Sequence, residues 1–477
     1  MDQSKTHSDD YDPPRFWWTR RIAWGSLALI VSIVVLWGSS AAIAQYRLDK
    51  LIASYRAAGE PVLAEDFDVH VEIPSAENAA AFYARARDAY IWPASFGWDF
   101  SDFDLVDSVY SDTPGAYADE VERFISTNAV TIEHLQKAAD CTRVEWREPF
   151  VNPLTASNLD NVMAPRRFAK LLSTAIGTFH QQNRDGDALD LLYAQVRLAG
   201  HRSSLNGSLL DNLVVTSIAR MSHDVIENIG AALLTDIRLD DDVQSRKRLH
   251  QIISGLLDNA AYSESFQAGL IGERIVVLNL YETIPDGKPI SVVFPGASRS
   301  YMLAIRPTLV SHCRRVLESV DQVIAGSRSA TYPMVMSDID HVVVPTAWRG
   351  IGAYLPDYMT SPSYGQTMRV EFTRLACRRM AAIALAVHMY ELDHGHRPEV
   401  LQALVPDYLK AIPRDPFFNG DRPVRYLPDA DPPVLYCVGP DGIDDGGLFG
   451  PRESDNEDSK NLDVLFFLDG DRPRPNP

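Results

Sequence analysis

An uncharged apolar run from Ile22 to Ala44 dominates the hydropathy pattern of the chain. It is long enough to cross a hydrocarbon core of about 30 Å as a helix. Trp17, Trp18, Trp24 and Trp37 fall where interfacial belts would hold them. Arg15, Arg20 and Arg21 precede the run, which by the positive-inside rule leaves the N-terminus in the cytoplasm; Arg47, Lys50 and Arg56 behind it weaken that bias. A cleaved signal peptide is the rival reading, because Ala42-Ile43-Ala44 before Gln45 has the small-x-small form of a cleavage site. The run exceeds the usual apolar region of about 7–15 residues in such peptides, which favours an uncleaved anchor. Either reading places the bulk of the chain outside the cytoplasm. The expectation is a single-pass protein of a bacterial inner membrane, with a cytoplasmic tail over 1–21, a transmembrane helix over 22–44 and a body in the periplasm.

Behind the anchor the period changes to that of amphipathic helices. Leu48, Leu51, Ile52 and Tyr55 share one face of a juxtamembrane helix within 45–60, stopped by Gly59 and Pro61. Residues 61–365 read as an irregular helical domain. Its clearest unit is a hairpin. Phe168, Leu171, Leu172, Ala175, Ile176 and Phe179 form one stripe, Ala188, Leu189, Leu192, Val196 and Ala199 the next, and Asn183-Arg184-Asp185-Gly186 turns between them. The entry Gly186-Asp187-Ala188-Leu189 resembles the start of a tetratricopeptide second helix, without a regular repeat elsewhere. The stretches 285–300 and 329–365 are rich in Pro, Gly and Ser and flank a helix over about 306–325. Asp240, Asp241 and Asp242 read as a solvated loop or helix cap.

From residue 366 the pattern becomes one long helix followed by short strands. Phe372, Leu375, Ala376, Met380, Ile383, Ala384, Val387 and Tyr390 form a single stripe that Gly395 ends. Val424-Arg425-Tyr426, Val434 to Val438 and Val464 to Leu468 are strand candidates. A small antiparallel sheet laid on the helix would bury the stripe, giving an α+β module over 366–470.

Composition narrows the function classes. Among 477 residues, 46% are hydrophobic and 23% charged, as in an ordinary folded protein. The net charge of -19 argues against nucleic acid, whose phosphates need a basic footprint. Cys141, Cys313, Cys377 and Cys437 form no Cys-x-x-Cys pair, so a zinc ribbon or a thioredoxin-like site is not indicated, and one or two disulfides stay open. Phosphate-binding, zincin, nucleophile-elbow and dinucleotide motifs are all missing. His388, His394 and His396 lie close in sequence, but His394 and His396 flank a cap glycine and suit the negative end of the helix dipole. No catalytic residue and no organic cofactor are assigned.

The C-terminal order of motifs resembles the globular part of the type II secretion major pseudopilins. The matching stretches are Tyr390-Glu391-Leu392-Asp393 through Arg397-Pro398, Asp415-Pro416-Phe417 with Pro423 and Tyr426, Tyr436-Cys437-Val438-Gly439-Pro440-Asp441-Gly442, and Asp463-Val464. The resemblance covers about a fifth of the chain. It implies a calcium ion held by the Val438 carbonyl, Asp441 and Asp463. The family's processing site is absent, since Trp18-Thr19-Arg20-Arg21-Ile22 stands before the apolar run, and the module lies far from that run. The module fold is therefore carried over and the filament is not. The layout of anchor, helical body and this ending is also similar to planctomycete-type membrane-anchored proteins. Twelve acidic residues between Asp429 and Asp471 face only Arg452 and Lys460, which suits a hard cation as well as it suits a solvated loop. An EF-hand fails, because a loop starting at Asp441 would put Ile443 third and Arg452 twelfth.

The chain is therefore expected to be mainly α. The function expected is a membrane-tethered extracytoplasmic interaction or scaffold protein, more an assembly surface than an enzyme. Its partners would be the membrane and envelope or secretion proteins, not nucleic acid, with calcium stabilising the C-terminal module. The alternatives are an extracytoplasmic hydrolase with a dispersed site and an accessory of a type II secretion-like export apparatus.

Overall fold

Helices make up most of the computed structural model, which describes residues 16–67, 71–92, 106, 109–110, 117–148, 150, 160–205, 207–236, 243–282, 299–339, 364–447 and 463–470. The expected loop at Asp240–Asp242, most of the Pro-rich stretches and the acidic segment 448–462 lie outside these residues. Two compact units emerge, one of residues 1–60 with 280–315, the other of residues 61–279 with 316–477.

In the first unit, α1 runs unbroken from Trp17 to Ala57. The sequence suggested an apolar helix and then a separate juxtamembrane helix. Residues 39–57 contain neither Gly nor Pro, so nothing interrupts the hydrogen-bond ladder where the polarity changes. The apolar half is exposed along its whole length, whereas Ala44, Leu48 and Tyr55, spaced by four and seven, are buried. Trp37 Nε1 donates to the Ala304 carbonyl at 2.9 Å.

The second unit is built around helix pairs. α2 (Ala79–Ala89), α3 (Ala118–Thr127) and α4 (Ala129–Asp140) precede the hairpin of α5 (Asp160–Gln181) and α6 (Asp185–Arg202). The turn between α5 and α6 places Asn183 in the left-handed region at φ 57°, where Asn is among the tolerated residues. The buried Gln195 amide crosses the pair to donate to the Ala169 carbonyl and the Ser173 hydroxyl. α7 (Leu209–Asp236) packs on both arms of the hairpin, and α8 (Val243–Leu256) packs on α6. α9 (Asn259–Glu282) and α11 (Tyr332–Ile339) follow, as does the end of α10 (Arg299–Gly326), whose residues 299–315 are counted in the first unit.

α12 (Tyr364–His394) packs on α7 and α8 on one side and on the sheet on the other. The sequence pattern marked a single stripe, but Met380 through Met389 are all buried. Ten consecutive buried positions span nearly three turns, so the helix is covered in every direction. The face outside the stripe, Ala381, Ala382, Leu385, Ala386 and Met389, is apolar too, apart from His388. Gly395, at φ 75°, then caps the helix with its amide on the Glu391 carbonyl.

The sheet has antiparallel order β1 (Arg425–Leu427), β2 (Val434–Cys437), β3 (Val464–Phe467), with Tyr426 opposite Leu435 and Leu435 opposite Phe466. Four side chains fasten it. The buried Asp415 accepts from the amides of Phe417 at 2.9 Å and Val438 at 2.8 Å. Glu227 of α7 accepts from the Phe467 amide at 3.0 Å. His388 of α12 donates to the Leu468 carbonyl at 3.0 Å. Arg397 grips Asp469 with both terminal nitrogens and Glu391 with Nε. Gly470 ends the strand close enough to α7 that a Cβ would lie 2.7 Å from the Asn228 carbonyl. The four cysteines are free thiols.

Asp415→Ala would strand the Phe417 and Val438 amides in the interior, at a cost of about 2–4 kcal/mol. Urea denaturation of the detergent-solubilised full chain should show that loss. The exposed Asp421→Ala should stay within about 0.5 kcal/mol of the wild type. Equal stability of the two variants would contradict the role given to Asp415.

Candidate functional site

The three residues singled out for calcium lie just after β2, in the loop that follows it and at the entry to β3. Val438 is fully buried and its amide is committed to Asp415. Asp441 is exposed and its Oδ1 accepts from the Ile443 amide, closing an Asx-type turn. Asp463 is buried, with Oδ2 accepting from the Gly447 amide at 2.8 Å and Oδ1 without a hydrogen-bond partner among the described residues. Burial raises the Asp463 pKa, partly offset by backbone amides, and the nearby Asp445 and Asp444 carboxylates raise it further. Asp444 is already engaged by Arg422, by the Tyr436 hydroxyl and by the Gly446 amide. Among the described residues this loop holds no trio of side-chain ligand atoms within 4.8 Å of one another.

A larger feature is a cleft of about 1140 Å³ in the second unit, walled by α6, α8, the start of α9, α12 and the loop 406–414. Tyr193 and Arg197, four residues apart on α6, share its floor. Arg197 donates to the carbonyls of Ala139 and Cys141 at the C-terminal end of α4, where the helix dipole favours a cation. Arg379, from α12, donates to the Arg414 carbonyl at 2.7 Å. Burial lowers its pKa to about 10, only partly offset by Cys437 and Asp415, so it stays charged at neutral pH. Among the described residues neither Arg197 nor Arg379 forms an ion pair with a carboxylate. Lys410 and Arg414 add two exposed cations, the latter paired with Asp421 at the surface. Asp258 and Asp407 are the acidic members of the lining. His250, also in the wall, has its pKa lowered by burial and by Arg246 and adds no charge at neutral pH. The cleft is thus locally basic in a chain of net charge -19.

A second constellation lies under the sheet. Arg220, His223, Asp224 and Glu227 occupy positions i, i+3, i+4 and i+7 of α7 and so share one face. Ligand atoms of His223, Asp224 and Glu227 all lie within 4.8 Å of one another. His223 Nδ1 is 3.1 Å from Asp224 Oδ1, and Arg220 pairs with Asp224 at 3.2 Å. Opposite, α12 contributes Arg374 and the buried Cys377, whose thiol neighbours the His223 ring. Phe466 of β3 closes the site edge-on, 5.0 Å from that ring. Among the described residues, the buried His223 Nε2 has no hydrogen-bond partner.

Burial opposes a charge on His223, but Cys377, Asp224 and Glu227 outweigh it and raise the pKa to about 10. For Asp224, burial is outweighed by His223 and Arg220, which bring it down to about 2. Burial pushes the Cys377 thiol up, yet His223, Arg374 and Arg220 draw it below its ordinary value.

Sequence reasoning missed both features. The cleft draws residues from Thr142 to Arg414, which no local pattern connects. The constellation had one local signal, a His and a Glu four apart with an Asp between them on a long helix. Cys377 looked merely scattered, and His388, prominent in the sequence, instead holds Leu468. No family model, curated protein or solved structure matches the chain.

Proposed function

We propose that the chain is a membrane-tethered extracytoplasmic interaction protein whose basic cleft receives an acidic segment of an envelope partner. The observation that carries this reading is the charge of the cleft. Arg197 and Arg379 are fixed by backbone carbonyls, and Lys410 and Arg414 stand at the surface beside them. Cations held this way are pre-positioned, so little ordering cost remains when an anionic ligand docks. A locally positive, walled cleft also focuses the field on an approaching anion.

The anchor reading draws support from α1. Its window of mean hydropathy 2.3 is exposed, and 22–44 spans about 34 Å as a helix. The helix passes straight through Ala42-Ile43-Ala44, and Ala44, Leu48 and Tyr55 are buried beyond it, which favours retention over cleavage. Arg20 and Arg21 favour a cytoplasmic N-terminus.

A second reading concerns calcium at the Val438 carbonyl, Asp441 and Asp463. It is favoured by Asp463 Oδ1, a buried carboxylate oxygen with no hydrogen-bond partner among the described residues, next to Asp444 and Asp445. The long helix with three antiparallel strands is likewise in keeping with a pseudopilin-like ending.

Three outcomes are expected. A labelled oligoglutamate peptide should bind the full chain in detergent, and Lys410→Glu with Arg414→Glu should weaken it by about tenfold, with added salt doing the same. Failure to bind the wild type, or equal binding by the double variant, would sink the cleft reading. A reporter active only outside the cytoplasm should give signal when fused after Pro477, whereas signal from a cytoplasmic reporter alone would reverse the topology. Calcium should raise the melting temperature of the wild type by mass action and leave Asp463→Asn unmoved. An unresponsive wild type would remove calcium from the loop.

A further inference from the structure

We propose that His223, Asp224 and Glu227 of α7, with Cys377 of α12, form a site for a zinc-class divalent transition metal that locks β3 onto the helical body. The donor set comes first. One imidazole, two carboxylates and one thiol are the ligand types that zinc and its neighbours take in four-coordinate sites, whereas calcium and magnesium prefer oxygen alone. Three of the four already converge, with ligand atoms within 4.8 Å of one another. The Cys377 thiol comes from the facing helix and interacts with His223, but lies outside that 4.8 Å group, so it would have to move in to complete the set.

The independent observation is His223 itself. It is 4% exposed, its Nδ1 lies 3.1 Å from Asp224 Oδ1, and among the described residues its second nitrogen, Nε2, has no hydrogen-bond partner. A buried polar atom left unmet costs about 1–3 kcal/mol, and a metal ion bound by the imidazole would change that accounting. The second neighbours are suitable as well. Glu227 accepts from the Phe467 amide and Asp224 from Arg220, so both carboxylates are oriented from outside the site, as metal-ligating carboxylates commonly are.

Charge also balances. Two carboxylates and a thiolate around a dication leave one negative charge, which Arg220 and Arg374 border. Binding would release the protons of the thiol and the imidazolium to solvent, with no change of oxidation state.

Burial decides the role. Phe466 packs edge-on against the imidazole, Phe467 is tied to Glu227, and His223 and Glu227 are buried, so that only Asp224 reaches the half-exposed edge of the site. The site is therefore structural. A metal here would join α7 to α12 directly beneath β3, the strand that the chain supplies last to the sheet. The inference depends on neither the basic cleft nor the calcium loop, since it shares no residue with them.

The test uses the full chain in detergent, stripped with a chelator, dialysed and titrated with Co(II). One Co(II) per chain is expected, with the intense visible bands of a four-coordinate site and a thiolate-to-Co(II) charge-transfer band in the near ultraviolet. Zinc should displace it and raise the melting temperature. Cys377→Ser should abolish the charge-transfer band, and Glu227→Gln should weaken binding by about tenfold or more, while Cys313→Ser leaves both unchanged. Because variants in this core can lose structure, X-ray absorption of the zinc-loaded wild type supplies a reading that needs none. One sulfur among N/O ligands is expected. A shell without sulfur, a charge-transfer band that survives Cys377→Ser, or no stoichiometric Co(II) binding would each overturn the proposal.

Discussion

Helix α12 has no face to give to water between Met380 and Met389. A helix that is apolar all round must be covered all round, and no single neighbouring layer can do that. The helical body covers one side through α7 and α8, and the three-stranded sheet covers the other. Chain order follows from this requirement. The sheet strands are short, and three strands of three or four residues would have little stability without a helix beneath them. The sheet and the body therefore stabilise each other through a helix that neither could cover alone.

Polar groups at this interface are spent on fixing register. Arg378 is buried in α12 with its guanidinium 3.5 Å from the centre of the Tyr262 ring, an arrangement that keeps a cation inside at moderate cost. Asp415, Glu227, His388 and Arg397 each bind backbone or a carboxylate across an element boundary. These bonds contribute little net energy compared with the apolar burial, but a slip of the sheet by one residue would break all of them and turn Leu435 and Phe466 outward. The constellation around His223 sits within the same layer. Its buried members, His223, Glu227 and Cys377, lie between α7 and α12, where a low dielectric strengthens their coupling, while Arg220 and Asp224 reach the surface.

Much of this organisation was readable in the sequence, and the failures share a cause. The apolar run Ile22–Ala44, the paired stripes of Phe168–Phe179 and Ala188–Ala199, and the three strands after Gly395 are all marked by local runs or periods of apolar residues, although Phe168–Gly177 and the whole of β2 are buried on every side. The second face of α12 was overlooked because small residues such as Ala381, Ala382 and Ala386 do not register as core in a stripe. The continuity of α1 is not marked by hydropathy, because the polarity changes near residue 45 while no Gly or Pro in 39–57 breaks the backbone. The cleft and the His223 site could not be read locally. Their residues come from helices that meet only once α12 is in place, and Cys377 has no neighbour in sequence that marks it.

Native-state hydrogen exchange on the full chain tests the shared role of α12 most directly. If α12 is the helix that body and sheet both require, the amides of Leu435, Cys437 and Phe466 should open with the same free energy and the same denaturant dependence as those of the buried α5–α6 hairpin. Exchange of the sheet amides at a clearly lower free energy, with α12 and the hairpin still protected, would show that the body covers the helix by itself and that the sheet is an appendage.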